Sequence, residues 1–297
     1  MRKAIPVVLT LLAVVAAPAA LFAWGEVGHR ITGEAAALAM PEATPAFFRN
    51  AARELAYLNP EPDRWKDRAE QTLDPALSGE SSPDHFLDME AASPEVLAEA
   101  LKAPNRYAFL QRLGEANVDG VKMGFLPFAI LEKAQELRVD FRLWRAANDT
   151  TRPWIEARII DDAGILGHYV ADGSNPAHTT IHFNGWTGPN PNGYATDKQF
   201  HARFESAYVA AKITLADVVP HVDPVPRVIP NLRTAIIDYI TVSNSQIERL
   251  YQLDKAHPFD ASTTAPENKA FTVERLAAGA TMLRDIWWTA WVTSAQP

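Results

Sequence analysis

The stretch GILGHYVADGSNPAH, residues 164–178, decides what we expect of the fold and of the functional site. Within eleven residues it contains three side chains of metal-binding types: His168, Asp172 and His178. A spacing of four residues puts His168 and Asp172 on one face of an α-helix. Gly173 and Pro176 are residue types that end helices. We therefore expect His178 in the loop beyond the helix, close to the same point.

Apolar residues at helical spacing continue on both sides of this stretch. Pro153 suits the first turn of the helix that carries His168, and residues 126–147 form a long amphipathic segment before it. Other segments with helical periodicity are residues 28–40, 44–58, 94–101, 106–113, 198–216, 231–253 and 272–293. The sequence shows no internal repeat and no alternating run long enough for a sheet. We predict an all-α fold, a single compact multi-helix domain over residues 24–297 with the metal cleft between helices.

The composition excludes several kinds of site. The chain has 297 residues, 47% of them hydrophobic and 22% charged, which is ordinary for a globular protein with a substantial core. It contains no cysteine, so disulfides and thiolate metal sites are impossible and any metal must bind nitrogen and oxygen. The formal net charge of −8 gives no basic surface of the kind that binds duplex nucleic acid.

The first 23 residues have the pattern of a secretory signal peptide. Arg2 and Lys3 precede an apolar run, residues 7–20, that is too short for a comfortable membrane span. Small residues at positions 17–19 offer one cleavage site, and a cut after Ala23 would make Trp24 the mature N-terminus. We expect the cut after Ala23, a secreted or periplasmic protein, and no stable membrane anchor.

Three further histidines have surroundings suited to metal binding. His201 and Glu205 are four residues apart on a predicted helix, His85 lies among acidic residues, and His29 follows a glycine at the start of a helix. One such histidine alone is more often a hydrogen-bonded structural residue. Their combination in a chain without cysteine favours a metal site, and the many imidazoles favour zinc over magnesium.

Together these residues resemble the zinc-dependent phospholipase C and single-strand-specific nuclease superfamily, whose members carry a three-zinc cluster. The resemblance covers essentially the whole mature chain. The residues that carry it, in the order of the family, are Trp24, Gly25, Gly28, His29, Asp63, His85, Phe86, Asp88, His168, Asp172, His178, His201 and Glu205.

The resemblance implies a role for each ligand in binding three Zn²⁺ ions. The mature N-terminal residue of the family binds zinc through its α-amino nitrogen and carbonyl oxygen, which is why we expect cleavage before Trp24. An α-amino group has a pKa of ~7.7–8.0, so zinc displaces its proton at modest cost. By similarity, the ligands are Trp24 and His29 for one zinc, Asp63, His85 and His168 for the second, Asp172 as the bridge between them, and His178, His201 and Glu205 for the third. Asp67 is an alternative to Asp63, and His182 an alternative to His178.

The resemblance also implies phosphodiester hydrolysis by zinc-activated hydroxide. Asp63 would orient or deprotonate the water, and Lys66 would stabilise charge on the phosphate, unless Lys66 is only a solvent-exposed helix residue. Phe86 and Asp88 would stack on a base and hydrogen-bond its edge, although phospholipases C show a similar pattern.

The two branches of the superfamily are both represented in the sequence. The short spacing from Trp24 to His29 and the long loop between His178 and His201 look like the nucleases, whereas Glu205 and the missing cysteines look like bacterial phospholipases C. We expect an endonuclease or nucleotidase that acts on single-stranded DNA and RNA. The alternatives are a phospholipase C that cleaves phospholipid headgroups and a non-enzymatic helical zinc-binding protein; no protein partner is implied.

Overall fold

The computed structural model describes residues 24–295, and the predicted signal peptide, residues 1–23, lies outside the described residues. All regular structure in the described part is helical, without a strand, which confirms the all-α prediction. None of the helices in residues 24–295 combines the length and the apolar character needed to cross a bilayer.

The helices follow one another with short connections in the first half of the chain and around one long loop in the second. The first half contains α1 (Gly25–Leu38), α2 (Ala46–Asn50), α3 (Ala52–Leu58), α4 (Glu61–Arg64), α5 (Arg68–Leu73), α6 (Pro75–Ser78), α7 (Pro94–Leu101), α8 (Arg106–Glu115), α9 (Gly120–Met123) and α10 (Leu126–Ala146). The second half contains α11 (Arg152–Ser174), α12 (Phe200–Ala202), α13 (Val209–Lys212), α14 (Leu215–Val218), α15 (Leu232–Asn244), α16 (Ile247–Ala256) and α17 (Pro266–Thr293). Short 3₁₀ turns lie at Ser82–His85, Met89–Ala91, Pro176–His178 and Val219–His221, and a π-helical turn, Arg203–Tyr208, joins α12 to α13.

The central element is α11, which carries His168 and Asp172. It packs against α1, α3, α10, α15 and α17. Every residue from Ala163 to Ser174 is buried, so this half of the helix is covered on all sides. Polar side chains inside such a helix are costly unless they bind a partner. The packing of α11 therefore makes its ligands part of the core.

The end of α11 differs in detail from the prediction. The helix continues through Gly173 and ends at Ser174, because Asn175 precedes Pro176 and takes an extended conformation with ψ of 117°. Gly173 is inside the helix, where a Cβ atom would lie only 2.8 Å from a ring carbon of Tyr239. Its role is close packing and not helix termination. His178 follows in a 3₁₀ turn, as expected for a residue just beyond the helix.

Two predicted helices are interrupted. The segment 231–253 divides at residues 245–246 into α15 and α16. The segment 198–216 widens into the π-helical turn that carries Glu205 and ends at Lys212, where Thr214 and Asp217 form a capping box for α14. Single π turns within helices occur frequently at functional sites.

Candidate metal centre

Three groups of buried ligand side chains lie around the C-terminal half of α11. Within each group the ligand atoms all lie within 4.8 Å of one another. The groups are His29, His168 and Asp172; Asp63, His85 and His168; and His178, His201 and Glu205. None of these residues is more than 8% exposed. The structure thus brings together the eight side chains that the sequence indicated as ligands.

Seven different elements supply the ligands. α11 contributes two of them one helical turn apart, and the 3₁₀ turn after it contributes His178. The remaining ligands come from α1 (His29), α4 (Asp63), the 3₁₀ turn Ser82–His85 (His85), α12 (His201) and the π-helical turn (Glu205). Because these elements are far apart in sequence, only the packed fold creates the site.

Asp172 is the carboxylate at the centre of the first two groups. Its Oδ1 atom lies 3.5 Å from His29 Nε2, and its Oδ2 atom lies 3.1 Å from His85 Nδ1 and 3.3 Å from His168 Nε2. The two oxygens therefore face different imidazoles. This arrangement is compatible with a carboxylate that contributes to two ligand groups at once.

Glu205 is the central carboxylate of the third group, as Asp172 is of the first two. Its Oε1 atom lies 3.4 Å from His178 Nε2, and its Oε2 atom lies 2.7 Å from His201 Nε2. Asn175 donates a hydrogen bond of 2.5 Å from Nδ2 to Oε1 and fixes the carboxylate. His178 also connects the groups, because its Nδ1 atom is 3.9 Å from Asp172 Oδ1.

Several ligand atoms are buried without a hydrogen-bond partner. They include His29 Nε2, Asp63 Oδ2, His85 Nε2, Asp172 Oδ1 and His178 Nε2. An unsatisfied buried polar atom costs about 1–3 kcal/mol, and folded proteins contain few of them. With Glu205 Oε2, six such atoms lie in one cluster of imidazoles and carboxylates, which fits a site that binds metal ions.

The electrostatics put most ligands in the protonation state that binds metal. Burial lowers the pKa of His29 to about 3 and that of His85 to about 4, so both rings are neutral at pH 7. Burial alone would raise the pKa of Asp172, but His168 and His178 outweigh it and hold that pKa well below its ordinary value. Burial opposes the charge on His178, but Asp172 and Glu205 raise its pKa to about 9. A metal ion at the third group must displace that proton.

The outward-facing nitrogens of four histidines contact oxygen acceptors. The Nδ1 contacts are His29 with Asn59 Oδ1 (3.0 Å), His168 with the Asn59 carbonyl (2.9 Å), His178 with the His85 carbonyl (2.6 Å) and His201 with the Phe183 carbonyl (3.3 Å). A carbonyl oxygen only accepts, so each Nδ1 carries the proton. In a neutral ring this tautomer leaves the Nε2 lone pair free for a metal, a state that His178 reaches only after it loses its second proton.

The geometry distinguishes between the alternative ligands in each pair, Asp63 or Asp67 and His178 or His182. Asp67 is exposed and caps α5, where its side chain accepts from the backbone nitrogens of Ala69 and Glu70, whereas Asp63 is buried in the second group. His182 stacks on Trp186 with ring centroids 4.0 Å apart. Neither Asp67 nor His182 belongs to a ligand group. The structure therefore favours Asp63 and His178.

Trp24 is anchored beside the first two groups. Its indole Nε1 donates to the Ala171 carbonyl at 2.8 Å and contacts Ser174 Oγ at 3.1 Å, on either side of Asp172. The next residue, Gly25, packs so closely on Glu205 that a Cβ atom would lie 3.2 Å from the Glu205 carbonyl oxygen. The start of the described chain thus lies next to two ligand-bearing segments.

A cavity of about 350 Å³ opens beside the ligands. The residues that line it are Lys66, Ser82, His85, Phe86, Asp88, Ala177, His178, Phe183 and His201. Lys66 is only 23% exposed and its Nζ donates to Asp63 Oδ1 at 2.8 Å, so it is not a solvent-exposed helix residue. Burial, with a smaller effect of Glu90, raises the pKa of Asp88 to about 7. A larger groove of about 740 Å³ along α17 contains none of the predicted ligands.

No family model, curated protein or solved structure matches the chain. The geometry of the ligands and the cavity therefore provides the evidence for a function. Three groups of buried histidine, aspartate and glutamate side chains are compatible with metal binding.

Sequence reasoning missed three residues of the site. Asn59 and Asn175 hold ligands by hydrogen bonds, and Phe183 lines the cavity while its carbonyl faces His201. Phe183 lies in the loop 179–197, which the sequence already marked as unusually long for a structureless connection. Asn175 is in the quoted stretch itself. Nothing in the sequence distinguishes Asn59 from other asparagines that follow helices.

Proposed function

We propose that this protein is a secreted zinc-dependent phosphodiester hydrolase, an endonuclease or nucleotidase that acts on single-stranded DNA and RNA. In this proposal it belongs to the zinc-dependent phospholipase C and single-strand-specific nuclease superfamily. The observation that carries the proposal is a cavity wall that combines histidines of the second and third ligand groups with a lysine and two aromatic rings, while His168 links the second group to the first.

The donor set supports zinc. Its atoms are imidazole nitrogens and carboxylate oxygens without thiolate, a combination that suits zinc better than magnesium or calcium. The proposed ligands are Trp24, His29 and Asp172 for the first ion, Asp63, His85, His168 and Asp172 for the second, and His178, His201 and Glu205 for the third. His168 Nε2 lies 2.9 Å from His85 Nδ1, which supports its assignment to the second ion.

The protein side chains divide the chemistry among them. When bound, zinc ions lower the pKa of a coordinated water and neutralise charge on a phosphate. Burial would raise the pKa of Asp63, but His168 and Lys66 outweigh it and keep this carboxylate ionised. In this proposal the ionised Asp63 carboxylate accepts a hydrogen bond from the attacking water and orients or deprotonates it. Lys66 carries positive charge at the cavity wall, where it stabilises the charge that develops on the phosphate.

The remaining cavity residues support an aromatic substrate. The rings of Phe86 and Phe183 both line the cavity and offer surfaces on which a base stacks. Asp88 lies beside them and, with its pKa of about 7, exists both as a donor and as an acceptor near neutral pH. The net charge of −8 disfavours tight binding of long, highly charged duplexes. Short or single-stranded substrates fit these conditions better.

Parallel hydrolysis assays test this proposal. Zinc-loaded protein that begins at Trp24 is given single-stranded DNA, RNA and phosphatidylcholine, with the Asp67→Asn variant as a control for Asp63→Asn. We expect cleavage of both nucleic acids, loss of that activity in Asp63→Asn, and little change in Asp67→Asn. Cleavage of phosphatidylcholine alone would support the phospholipase alternative. No hydrolysis by a protein that holds three zinc ions would leave a non-enzymatic zinc-binding protein.

A second comparison tests the terminal ligand. Protein that begins at Ala20 lacks a free α-amino group at Trp24, and we expect it to bind the first zinc ion more weakly and to be less active. Equal zinc affinity and equal activity of the two forms would contradict the role of Trp24.

A further inference from the structure

Asn59 contacts His29 and His168, which belong together to the first ligand group, while His168 also belongs to the second. It follows the last residue of α3 and is fully buried. Its side-chain Oδ1 lies 3.0 Å from His29 Nδ1, and its backbone carbonyl oxygen lies 2.9 Å from His168 Nδ1. The two imidazole rings stack on each other with centroids 3.9 Å apart and an interplanar angle of 12°. One residue therefore holds two stacked rings by two different oxygens.

The two oxygens of Asn59 differ in whether a substitution or a rotation of the side chain can replace them. The backbone carbonyl is an acceptor that no substitution at position 59 removes, so the proton on His168 Nδ1 is fixed by the fold. The side-chain amide has a donor and an acceptor end, and the end that faces His29 decides the tautomer of that ring. With Oδ1 toward His29, the proton lies on Nδ1 and Nε2 is free, 3.5 Å from Asp172 Oδ1. With Nδ2 toward His29, the proton would move to Nε2, where it blocks a metal.

The packing around Asn59 leaves little room for the amide to move. Two glycines face it: a Cβ atom at Gly33 would lie 2.9 Å from Asn59 Nδ2, and a Cβ atom at Gly167 would lie 2.3 Å from the same atom. Nδ2 itself has no hydrogen-bond partner. Because Nδ2 makes no hydrogen bond, the contact of Oδ1 with His29 is the one that accounts for a buried amide at this position.

We propose that Asn59 is a positioning residue that selects the metal-binding tautomer of His29 through its side chain and that of His168 through its backbone. The inference rests on the proposed binding of zinc, but not on the substrate. It predicts that metal binding beside His29, in the first ligand group, depends on the side chain at position 59, whereas metal binding beside His85, in the second group, does not. Loss of an outer partner of this kind typically lowers metal affinity about 10- to 100-fold.

The chain offers a conservative variant and a matched control. Asn59→Asp keeps an acceptor oxygen toward His29 and adds a negative charge, which makes the carboxylate–histidine pair that commonly supports a zinc ligand, so zinc binding at the His29 group is retained. Asn59→Ala removes the acceptor. Asn175→Ala is the control, since Asn175 is equally buried and donates to Glu205 in the third group. Gly33→Ala is an indirect test, because its Cβ atom displaces the Asn59 amide without altering a ligand.

The experiment measures zinc affinity by competition with a chelator and locates the ions by anomalous diffraction at the zinc edge. We expect Asn59→Ala and Gly33→Ala to lose occupancy beside His29 with an affinity about 10- to 100-fold lower, Asn59→Asp to keep it, and Asn175→Ala to lose occupancy beside Glu205. Circular dichroism of each variant shows whether the helices are intact. If the wild type holds three ions and Asn59→Ala holds them with equal affinity, this inference alone is overturned. If the wild type binds no zinc beside His29, both this inference and the proposed function are overturned.

Discussion

Replacing Asp172 by asparagine removes one negative charge from the centre of the site without changing its shape. The side chain is fully buried, and its two oxygens lie 3.1–3.5 Å from nitrogens of His29, His85 and His168. If Asp172 bridges two zinc ions, the asparagine variant loses a charged ligand of both at once. The first and second ions are therefore affected and the third much less, because Glu205 serves that group.

The expected effect of Asp172→Asn is large. Removing one partner of a buried charge pair costs about 3–5 kcal/mol, which corresponds to a zinc affinity about 100- to 5,000-fold lower. Asp67→Asn makes the same chemical change at an exposed carboxylate that caps α5. Because asparagine is also a good cap, this control has little effect on stability or zinc affinity.

Chelator competition followed by elemental analysis provides the measurement for Asp172→Asn. We expect the variant to retain one tightly bound zinc ion, while wild type and Asp67→Asn retain three. Three ions held by Asp172→Asn with an affinity within about threefold of the wild type would refute the assignment of Asp172 as a bridge.

Three further substitutions test the cavity. Lys66→Met is expected to lower kcat by about 100-fold or more, with zinc content unchanged, in steady-state assays on a dinucleotide; an unchanged kcat would exclude Lys66 from charge stabilisation. Asp88→Asn is expected to abolish the change in KM near pH 7 that the titration of Asp88 causes. The pKa of Asp88 in the folded protein lies above its unfolded value, so its contribution to stability falls as the pH rises from about 4 to about 7, and chemical denaturation across that range should show a smaller fall in Asp88→Asn. Phe183→Ala is expected to raise KM about 5- to 150-fold, as loss of one stacked base does, and equal KM values would mean that the ring does not contact the substrate.

Local periodicity made part of the fold and site predictable. The positions of His168 and Asp172 on one face of α11 follow from a spacing of four residues, and such geometry does not depend on the rest of the chain. The same holds for His201 and Glu205, which stay adjacent although the helix widens to a π turn between them. The all-α class was predictable for the same reason.

Long-range packing accounts for what the sequence did not decide. Asp63 and Asp67 are one helical turn apart in a segment of very short helices, where periodicity carries little information about burial. Only the packing shows that Asp63 is buried among ligands while Asp67 caps α5. The role proposed for Asn59 depends on close packing of two glycines from α1 and α11, which no local pattern associates with it.

The zinc content of the purified wild-type protein tests the central claim most directly. Mature protein that begins at Trp24 is expressed with zinc, dialysed extensively against metal-free buffer, and analysed by mass spectrometry for bound metals. The three ligand groups predict about three zinc ions per chain. One ion or none would contradict the three-zinc centre and the phosphodiesterase proposed from it.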